Sequence, residues 1–235
     1  LQVSRKGPAD FVSVADQRAE QAIYEQLAKA RPGYGFLMEE RGEVVGTDKS
    51  HRFIVDPLDG TLNFLHGMPH YAISIALERE GELIAGVVMD VAKQETFWAE
   101  KGRGAWRDQT RLRVAGRMKL REAVVATGIP FMGHPGHDLF LKELDQIAPF
   151  VAGVRRFGSA ALDLAWVAAG RYDGFWERSL KPWDVAAGIV LVREAGGFIR
   201  DLTGENGPCP TEILAANPSL TPKILERLGV KLPVV

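Results

Sequence analysis

Short stretches of alternating apolar and polar residues dominate the first half of the chain, and this period of two is typical of half-buried β-strands. The pattern predicts strands over residues 72–77, 83–89 and 95–98. Turn residues at Glu80-Gly81 and Ala92-Lys93 separate these strands, so we expect an antiparallel meander. A short edge strand is expected over residues 112–114.

Other parts of the chain show helical spacing or short apolar runs. Residues 1–13 are expected to form a loop leading into an extended piece, and residues 41–50 a mobile loop. A boundary near Met118-Lys119 divides the chain into halves 1–119 and 120–235. Helices are predicted over residues 16–30, 61–65, 139–147, 160–169, 183–194 and 220–228, and further strands over residues 35–38, 52–55, 123–127, 154–157, 172–176, 198–199 and 213–216.

Composition narrows the class of protein. The chain has 235 residues and a net charge of −1, so no basic field favours strong direct binding to nucleic acid or to an anionic membrane. It has one cysteine, which excludes an internal disulfide and favours a reducing, cytoplasmic setting. No apolar run is long enough to cross a bilayer. Because the chain starts at Leu1 rather than Met, we expect an N-terminal segment to be missing from it.

The stretch Asp56-Pro57-Leu58-Asp59-Gly60-Thr61-Leu62-Asn63-Phe64 follows the apolar strand at 52–55. Pro57 lacks a backbone donor and should end that strand, and Gly60 can take the positive φ of a turn. A helix should begin at Thr61. Two carboxylates and a hydroxyl would then lie beside a helix N-terminus, where carboxylates can share a divalent cation and backbone N–H groups can hold a phosphate. This combination suits metal-assisted phosphate ester hydrolysis.

Other phosphatase motifs do not fit. Two residues separate Asp56 from Asp59, so the Asp-x-Asp motif of aspartyl-phosphate enzymes is not matched. No P-loop sequence occurs. The lone Cys209 has no arginine placed to hold a phosphate beside a thiolate.

Several acidic positions also have a purely structural interpretation. Asp59 or Thr61, Asp16 and Asp184 could each be a helix N-cap, and Glu39-Glu40 could be a solvated strand end. The stretch from His134 to His137 favours a surface loop over a zinc site, because proline and glycine prevent a helical histidine pair. The pair Arg155-Arg156 is expected at a solvated edge or a subunit contact.

The central stretch resembles the signature of the inositol monophosphatase family, of the bacterial type, which comprises Mg-dependent, lithium-sensitive phosphatases. Trp183-Asp184-Val185-Ala186-Ala187-Gly188 resembles the family's second signature. Glu39-Glu40 resembles its Gly-Glu-Glu motif, although Met38 stands where the family has glycine. The resemblance extends over nearly the whole chain.

The resemblance implies a site for two or three Mg²⁺ ions, with Mn²⁺ as an alternative. Glu39, Asp56 and the Leu58 carbonyl would hold the first ion, and Asp56, Asp59 and Asp184 the second. The catalytic set would be Thr61, Asp16 and Glu39, with the Thr61–Asp16 pair orienting the attacking water. Phosphate would bind to the backbone of Gly60 and Thr61, and the polyol would contact Gly158, Ser159, Ala160, Glu177 and Asp184.

The implied fold is a layered αβαβα sandwich, α+β in its N-terminal half and α/β in its C-terminal half. The N-terminal sheet is mostly antiparallel, and the C-terminal sheet is smaller and mixed. The implied activity is hydrolysis of inositol 1-phosphate by a cytoplasmic homodimer. Alternative substrates are fructose 1,6-bisphosphate, histidinol phosphate and 3′-phosphoadenosine 5′-phosphate. A further alternative is a role in antitermination or RNA processing through a protein partner in the RNA polymerase machinery.

Overall fold

The structure is a computed structural model that describes residues 3–7, 10–204 and 207–230, with side chains from residue 14 onward. Part of the loop expected at the start of the chain therefore lies outside the described residues. The part that is described forms a small hairpin instead of a loop, in which β1 (Val3–Gly7) pairs antiparallel with β2 (Asp10–Ser13).

A large mixed sheet carries most of the first half of the chain. Its strands lie in the order β10-β9-β8-β7-β6-β5-β3-β4, and only the β3–β5 pair is parallel. The expected meander is confirmed over the strands from β6 to β8. The strands are β3 (Gly35–Met38), β4 (Gly42–Val44), β5 (His51–Asp59), β6 (Ala72–Arg79), β7 (Glu82–Asp90), β8 (Glu95–Glu100), β9 (Gly104–Arg107) and β10 (Thr110–Arg111).

A second, five-stranded sheet lies in the second half, in the order β12-β11-β13-β15-β14. Strand β11 is parallel to both of its neighbours, whereas β15 is antiparallel to both of its neighbours, so this sheet is mixed as expected. Its strands are β11 (Val124–Thr127), β12 (Gly153–Arg155), β13 (Gly174–Glu177), β14 (Phe198–Asp201) and β15 (Ile213–Ala216).

The α-helices of the described residues form layers around these sheets. They are α1 (Val14–Ala30), α2 (Thr61–Leu65), α3 (His137–Ile147), α4 (Ala160–Ala168), α5 (Pro182–Glu194) and α6 (Thr221–Arg227). Single 3₁₀ turns occur at Leu120–Glu122 and Ala148–Phe150.

The main hydrophobic core joins the two sheets. Helices α4 and α5 lie between them, and residues 185–192 of α5 are all buried. A helix that is apolar on every side needs cover on every side, and the two sheets supply it. Helix α1 packs on the far face of the large sheet, and α3 and α6 pack on the far face of the small one. The layers are therefore α, β, α, β and α, as the resemblance implies.

Three sequence-based expectations for the large sheet are wrong. The segment 41–50 is not one loop, because β4 pairs with β3 inside it. Strand β9 lies where no strand was predicted. The edge strand is β10 at Thr110–Arg111 rather than residues 112–114, which are not a strand. The edge strands β4 and β10 are short and have no buried side chains, so their hydrophobic pattern is weak.

The division at residues 118–119 stays a prediction. The main core draws residues from both sides of that point, for example Ile54 and Leu191. Within the described residues, no helix combines the length and apolar character needed to cross a membrane.

Two glycines let α5 approach its neighbours closely, and they generate a stability prediction. A Cβ on Gly86 would lie 2.6 Å from the carbonyl oxygen of Ala187, and one on Gly188 would lie 2.4 Å from Cβ of Leu164. Gly86→Ala forces strand and helix apart, so we expect the free energy of unfolding to fall by about 1–3 kcal/mol.

Urea unfolding of the purified variant tests this expectation. Gly116→Ala is the matched control, because an added Cβ there meets no heavy atom within 4 Å. Equal stability of the two variants would show that the β7–α5 contact is looser than described.

Candidate active site

A bulge in strand β5 brings two aspartates to the same place. Asp56 pairs with Ser74 and Asp59 with Ala72, so two residues, Pro57 and Leu58, lie opposite one residue of β6. On a regular strand, side chains three positions apart point to opposite faces of the sheet. The extra residue in the bulge brings Asp56 and Asp59 to the same face. The expectation that Pro57 ends the strand is wrong. Proline has no N–H to pair, and a bulge tolerates it inside the strand.

The turn after the bulge is built as expected. Gly60 has φ of 91°, in the left-handed region that favours glycine, and α2 begins at Thr61. A Cβ on Gly60 would also lie 3.1 Å from the His70 carbonyl oxygen and 3.2 Å from that of Gly158. Gly60 itself occupies the N-cap position without a side-chain hydrogen bond. The interpretation of Asp59 or Thr61 as N-cap is therefore wrong.

Asp16 contacts Thr61 through a partly buried hydrogen bond. The Thr61 hydroxyl lies 3.1 Å from Oδ1 of Asp16 and 3.0 Å from the Leu58 carbonyl oxygen, and both oxygens are acceptors. Asp16 is fully buried and is the third residue of α1 rather than its N-cap, so the capping interpretation is wrong. The expected Thr61–Asp16 pair is confirmed as a contact.

Asp184 reaches the same region from α5. This helix begins at Pro182, and Lys181 is its N-cap, so Asp184 is not the N-cap that was considered. Its Oδ2 accepts a hydrogen bond of 2.7 Å from the Lys181 backbone N–H. The side chain thus caps the helix from inside the first turn while it lies beside Asp56 and Asp59.

Asp59 is fixed by the turn before α4. Its Oδ2 accepts hydrogen bonds from the Ser159 hydroxyl at 2.5 Å and from the Ala161 backbone N–H at 2.8 Å. Ser159 is the N-cap of α4, and its hydroxyl oxygen accepts from the Leu162 N–H at 3.3 Å. The predicted Gly158-Ser159-Ala160 turn therefore orients an acidic side chain of the site.

These contacts create a compact group of carboxylates. Oxygen atoms of Asp56, Asp59 and Asp184 all lie within 4.8 Å of one another. Glu39 follows β3 and lines the cavity that opens beside these aspartates. It is partly buried rather than a solvated strand end. Its neighbour Glu40 is turned toward α1, where its backbone N–H donates to Glu20 at 2.8 Å.

The electrostatics of this group favour neutralisation. Burial raises the pKa of Asp56 well above its usual value, and the negative charges of Glu39, Asp59 and Asp184 raise it further. Burial likewise raises the pKa of Asp59 to about 6, against the opposing hydrogen bonds from Ser159 and the backbone. The pKa of Asp184 is raised by burial and then by Asp59. A bound cation would remove this repulsion.

The donor set identifies the kind of cation that fits. All the candidate ligands are carboxylate oxygens or the Leu58 carbonyl, and the group found among the described residues contains no histidine or cysteine. Hard oxygen ligands favour Mg²⁺ or Mn²⁺ over Zn²⁺. The residues present therefore fit a divalent cation of the magnesium type.

A cavity of about 540 Å³ opens from this group of carboxylates. Glu177 lies on its wall, where burial and then the charge of Asp59 raise the pKa of the carboxyl to about 8. A Cβ on Gly128 would lie 1.8 Å from Oε1 of Glu177, so only glycine fits opposite this side chain. Arg156 also lines the cavity, although the sequence placed it only at a solvated edge or subunit contact.

Sequence reasoning missed two buried residues that support the site. Asn63 donates to the carbonyl oxygens of His70 and Phe157, each at 2.7 Å, and so ties α2 to the segment before α4. Asn63 lies within the central stretch, so the sequence contained a signal that could have identified it. Asp163 on α4 is buried, and burial followed by the charge of Glu177 raises its pKa. Nothing in the local sequence marks Asp163.

The histidine-containing stretch forms a loop as expected, except that α3 already begins at His137 rather than at residue 139. His134 lies on the wall of the cavity. Neither His134 nor His137 belongs to the metal-binding group found among the described residues.

The comparisons with known proteins agree on one family. A family model described as "Inositol monophosphatase family" matches residues 1–230. The chain is 60% identical over 232 residues to the inositol-1-monophosphatase of Caulobacter vibrioides, covering 97% of this chain and 91% of that protein. It is 42% identical over 229 residues to the Nus factor SuhB of Escherichia coli, covering 97% of this chain and 86% of that protein.

A solved structure supports the same relationship. The extragenic suppressor protein suhB of Bartonella henselae superposes with a TM-score of 0.93 at 53% identity, covering 99% of this chain and 90% of that one. The expected layered fold is confirmed.

The raised pKa values predict how stability changes with pH in the presence of a chelator. Asp59 moves from 3.8 to about 6 and Glu177 from 4.5 to about 8 on folding. Between the ordinary and the raised pKa of each group, the folded protein binds more protons than the unfolded chain. The free energy of unfolding therefore decreases as pH rises through that interval. We expect the melting temperature in EDTA to fall from about pH 4 to about pH 8.

Asp59→Asn should make this decrease shallower, because one of the titrating groups is gone, whereas Asp145→Asn on the exposed side of α3 should not change it. A melting temperature that rises over the same interval would contradict the assigned shifts.

Proposed function

The chain belongs to the inositol monophosphatase family, and from this premise we propose that it hydrolyses inositol 1-phosphate to inositol and phosphate with Mg²⁺ as cofactor. The observation that carries the proposal is the group of three aspartates with oxygens within 4.8 Å of one another. This group lies beside the Thr61–Asp16 hydrogen bond and opens into a cavity. The names of the relatives at about 60% identity support the choice of substrate.

We assign the cation ligands to Glu39, Asp56, Asp59, Asp184 and the Leu58 carbonyl, which would hold two or three ions. Mg²⁺ held by these residues would supply an acidified water and positive charge for the phosphate and the leaving oxygen. The bulge and the two helix termini fix the carboxylates in advance, so little reorganisation is needed when a cation binds.

Thr61 orients the nucleophile in this proposal. When its hydroxyl hydrogen points to Asp16, the oxygen lone pairs are directed away from the carboxylate and can accept a hydrogen bond from water. Asp16 fixes the direction of this hydrogen bond, because its carboxylate oxygen acts as the acceptor. The catalytic set is therefore Thr61, Asp16 and Glu39, and the backbone of Gly60 and Thr61 is assigned to the phosphate oxygens.

Glu177 is assigned to the polyol, together with Gly158, Ser159, Ala160 and Asp184. Glu177 lies on the cavity wall beside Arg156, whose positive charge acts on its carboxyl. A carboxyl group can pair with sugar hydroxyls. The Ser159 side chain holds Asp59, so we assign its contact with the polyol to the backbone.

The oligomeric and cellular setting is also a proposal. We propose a cytoplasmic homodimer, supported by the single cysteine and by the family resemblance. Sedimentation velocity at several concentrations tests the dimer, and a species of monomer mass throughout would reject it.

A second candidate function comes from relatives named Nus factor SuhB, which are 42–45% identical to this chain. They favour a protein contact with the transcription machinery. Capture of purified RNA polymerase by the immobilised chain, measured beside turnover of inositol 1-phosphate, separates the two roles.

The first prediction for this function concerns the cation ligands. Asp59→Asn replaces a charged ligand by a neutral amide, so Mg²⁺-dependent kcat/KM should fall by more than the roughly 10–100-fold that loss of an outer-shell partner costs. Initial rates over a range of MgCl₂ concentrations measure this. Asp145→Asn is the control, and near-normal turnover of Asp59→Asn at saturating Mg²⁺ would remove Asp59 from the site.

The second prediction concerns Glu177. Glu177→Gln should lower kcat/KM for inositol 1-phosphate by up to about 10-fold, the scale of one intramolecular-type hydrogen bond. It should affect a simple aryl phosphate much less, because that substrate has no hydroxyl groups to pair. Glu226→Gln on the exposed face of α6 is the control. Equal losses on both substrates would make Glu177 a structural residue.

The third prediction concerns lithium. The buried carboxylates select small hard cations, so Li⁺ should compete for part of the cation site, and Na⁺ and K⁺ should do much less at equal concentration. We expect inhibition that added inositol 1-phosphate does not relieve. Initial rates at several LiCl and substrate concentrations, with NaCl matching the ionic strength, measure it. Full activity in LiCl would reject the lithium sensitivity and leave the phosphatase assignment in place.

A further inference from the structure

The lining of the cavity beside the carboxylates contains chemically different groups of residues. One group is Glu39, Asp59, Asp184 and Glu177, to which the phosphate and the polyol are assigned. Another comes from the segment after β11 and from the start of α3. We call this group the apolar wall, and it consists of Ile129, Pro130, Phe131, His134, Leu139 and Phe140. The charged residues Glu143, Arg178 and Glu212 line the same cavity.

The apolar wall leaves large hydrophobic side chains open. Ile129 is 42% exposed, Phe131 is 41% exposed and Leu139 is 45% exposed. The rings of Phe131 and His134 have centroids 3.9 Å apart and form an aromatic surface. Exposed apolar groups that line a concave space next to a reaction centre are typical of ligand pockets. Single exposed apolar residues would need no such explanation.

An ion-pair network fixes the wall in place. Arg178 on the chain just after β13 donates to Glu143 at 2.8 Å through Nε and to Glu212 at 2.6 Å through Nη1. Glu143 is buried on α3, the helix that carries Leu139 and Phe140. The helix that carries part of the wall is therefore attached to the chain just after Glu177.

Inositol phosphate has little to gain from this wall. Its carbon atoms all carry hydroxyl or phosphate groups, and a hydroxyl placed against apolar side chains loses its hydrogen bonds at a cost in free energy. Its assigned polar partner Glu177, with Arg156 beside it, belongs to another part of the lining. The volume of about 540 Å³ also falls within the range of roughly 300–1,000 Å³ that accommodates drug-sized ligands.

We propose that the apolar wall binds an aromatic group carried by the leaving alcohol, so that the enzyme also hydrolyses phosphomonoesters of aryl-bearing alcohols. The inference rests on the proposed phosphatase function. In the reaction water adds to phosphorus, the ester P–O bond breaks, and the leaving oxygen takes a proton, which gives the alcohol and inorganic phosphate. The aryl group takes no part in this chemistry and binds against the Phe131–His134 surface, where aromatic pairs are favourable.

Two esters with the same leaving atom test the proposal. 3-Phenylpropyl phosphate and propyl phosphate both release a primary alkoxide, so a difference in their kcat/KM values reports contacts remote from phosphorus. With Mg²⁺ present, we expect the phenyl compound to have a kcat/KM at least about 10-fold higher, the scale of one well-filled apolar subsite. A ratio near one would overturn the proposal.

Substitutions in the wall assign the effect to it. Phe131→Ser and Leu139→Ser should each lower that ratio by about threefold or more, because part of the apolar contact is lost. Phe198→Ser is the matched control, since Phe198 is also 41% exposed and does not line the cavity. Thermal melts confirm that each variant is folded. An unchanged ratio in both wall variants would overturn the proposal even if the wild-type ratio is high.

Binding without turnover separates this inference from the proposed function. Calorimetry with 3-phenylpropylphosphonate and propylphosphonate, which cannot be hydrolysed at an ester bond, should show tighter binding of the phenyl compound and loss of the difference in Phe131→Ser. If inositol 1-phosphate is hydrolysed but the phosphonates bind equally, the inference fails and the function stands. If the phenyl preference is present without any phosphatase activity, the function fails and the wall stands as a binding site.

Discussion

Repulsion between buried carboxylates is the constraint on which this structure depends. Asp56 is almost completely buried, and oxygens of Asp59 and Asp184 lie within 4.8 Å of it and of each other. Burial away from water raises the pKa values of all three, and neighbouring negative charges raise those of Asp56 and Asp184 further. Such an arrangement persists only because the surrounding fold is rigid enough to impose it. A divalent cation bound there would relieve the repulsion.

Three local devices impose the arrangement, and each uses backbone geometry. The bulge at Pro57-Leu58 turns Asp56 and Asp59 to the same side of β5. The first turn of α5 positions Asp184 through its bond to the Lys181 N–H, and the N-cap of α4 holds Asp59 through Ser159. Helices α4 and α5 are themselves fixed because they fill the space between the two sheets. The core packing is therefore transmitted to the site through the two helix N-termini.

The sequence predicted the content of the site better than its geometry. The central stretch and the Trp183-Asp184 signature named the aspartates, and the resemblance supplied the layered fold, which the strand pattern alone could not. Asp16 and Asp184 were each weighed as N-caps, but both lie at the third helical position. Local propensity cannot distinguish these positions when a tertiary contact decides where the helix begins. The bulge at Pro57 and the roles of Asp163 and Gly128 were missed because they depend on contacts between segments far apart in the chain.

The central claim is that Asp56, Asp59 and Asp184 form a cation site that is complete only when a divalent ion neutralises it. Calorimetric titration of Mg²⁺ into chelator-treated protein, in two buffers of different ionisation enthalpy near pH 6, tests this most directly. The account predicts saturable binding accompanied by proton release, because the cation displaces protons from carboxyls with raised pKa values. It also predicts that Asp56→Asn abolishes at least one binding event while Asp145→Asn keeps them all. Undetectable Mg²⁺ binding, or binding unchanged in Asp56→Asn, would contradict the account.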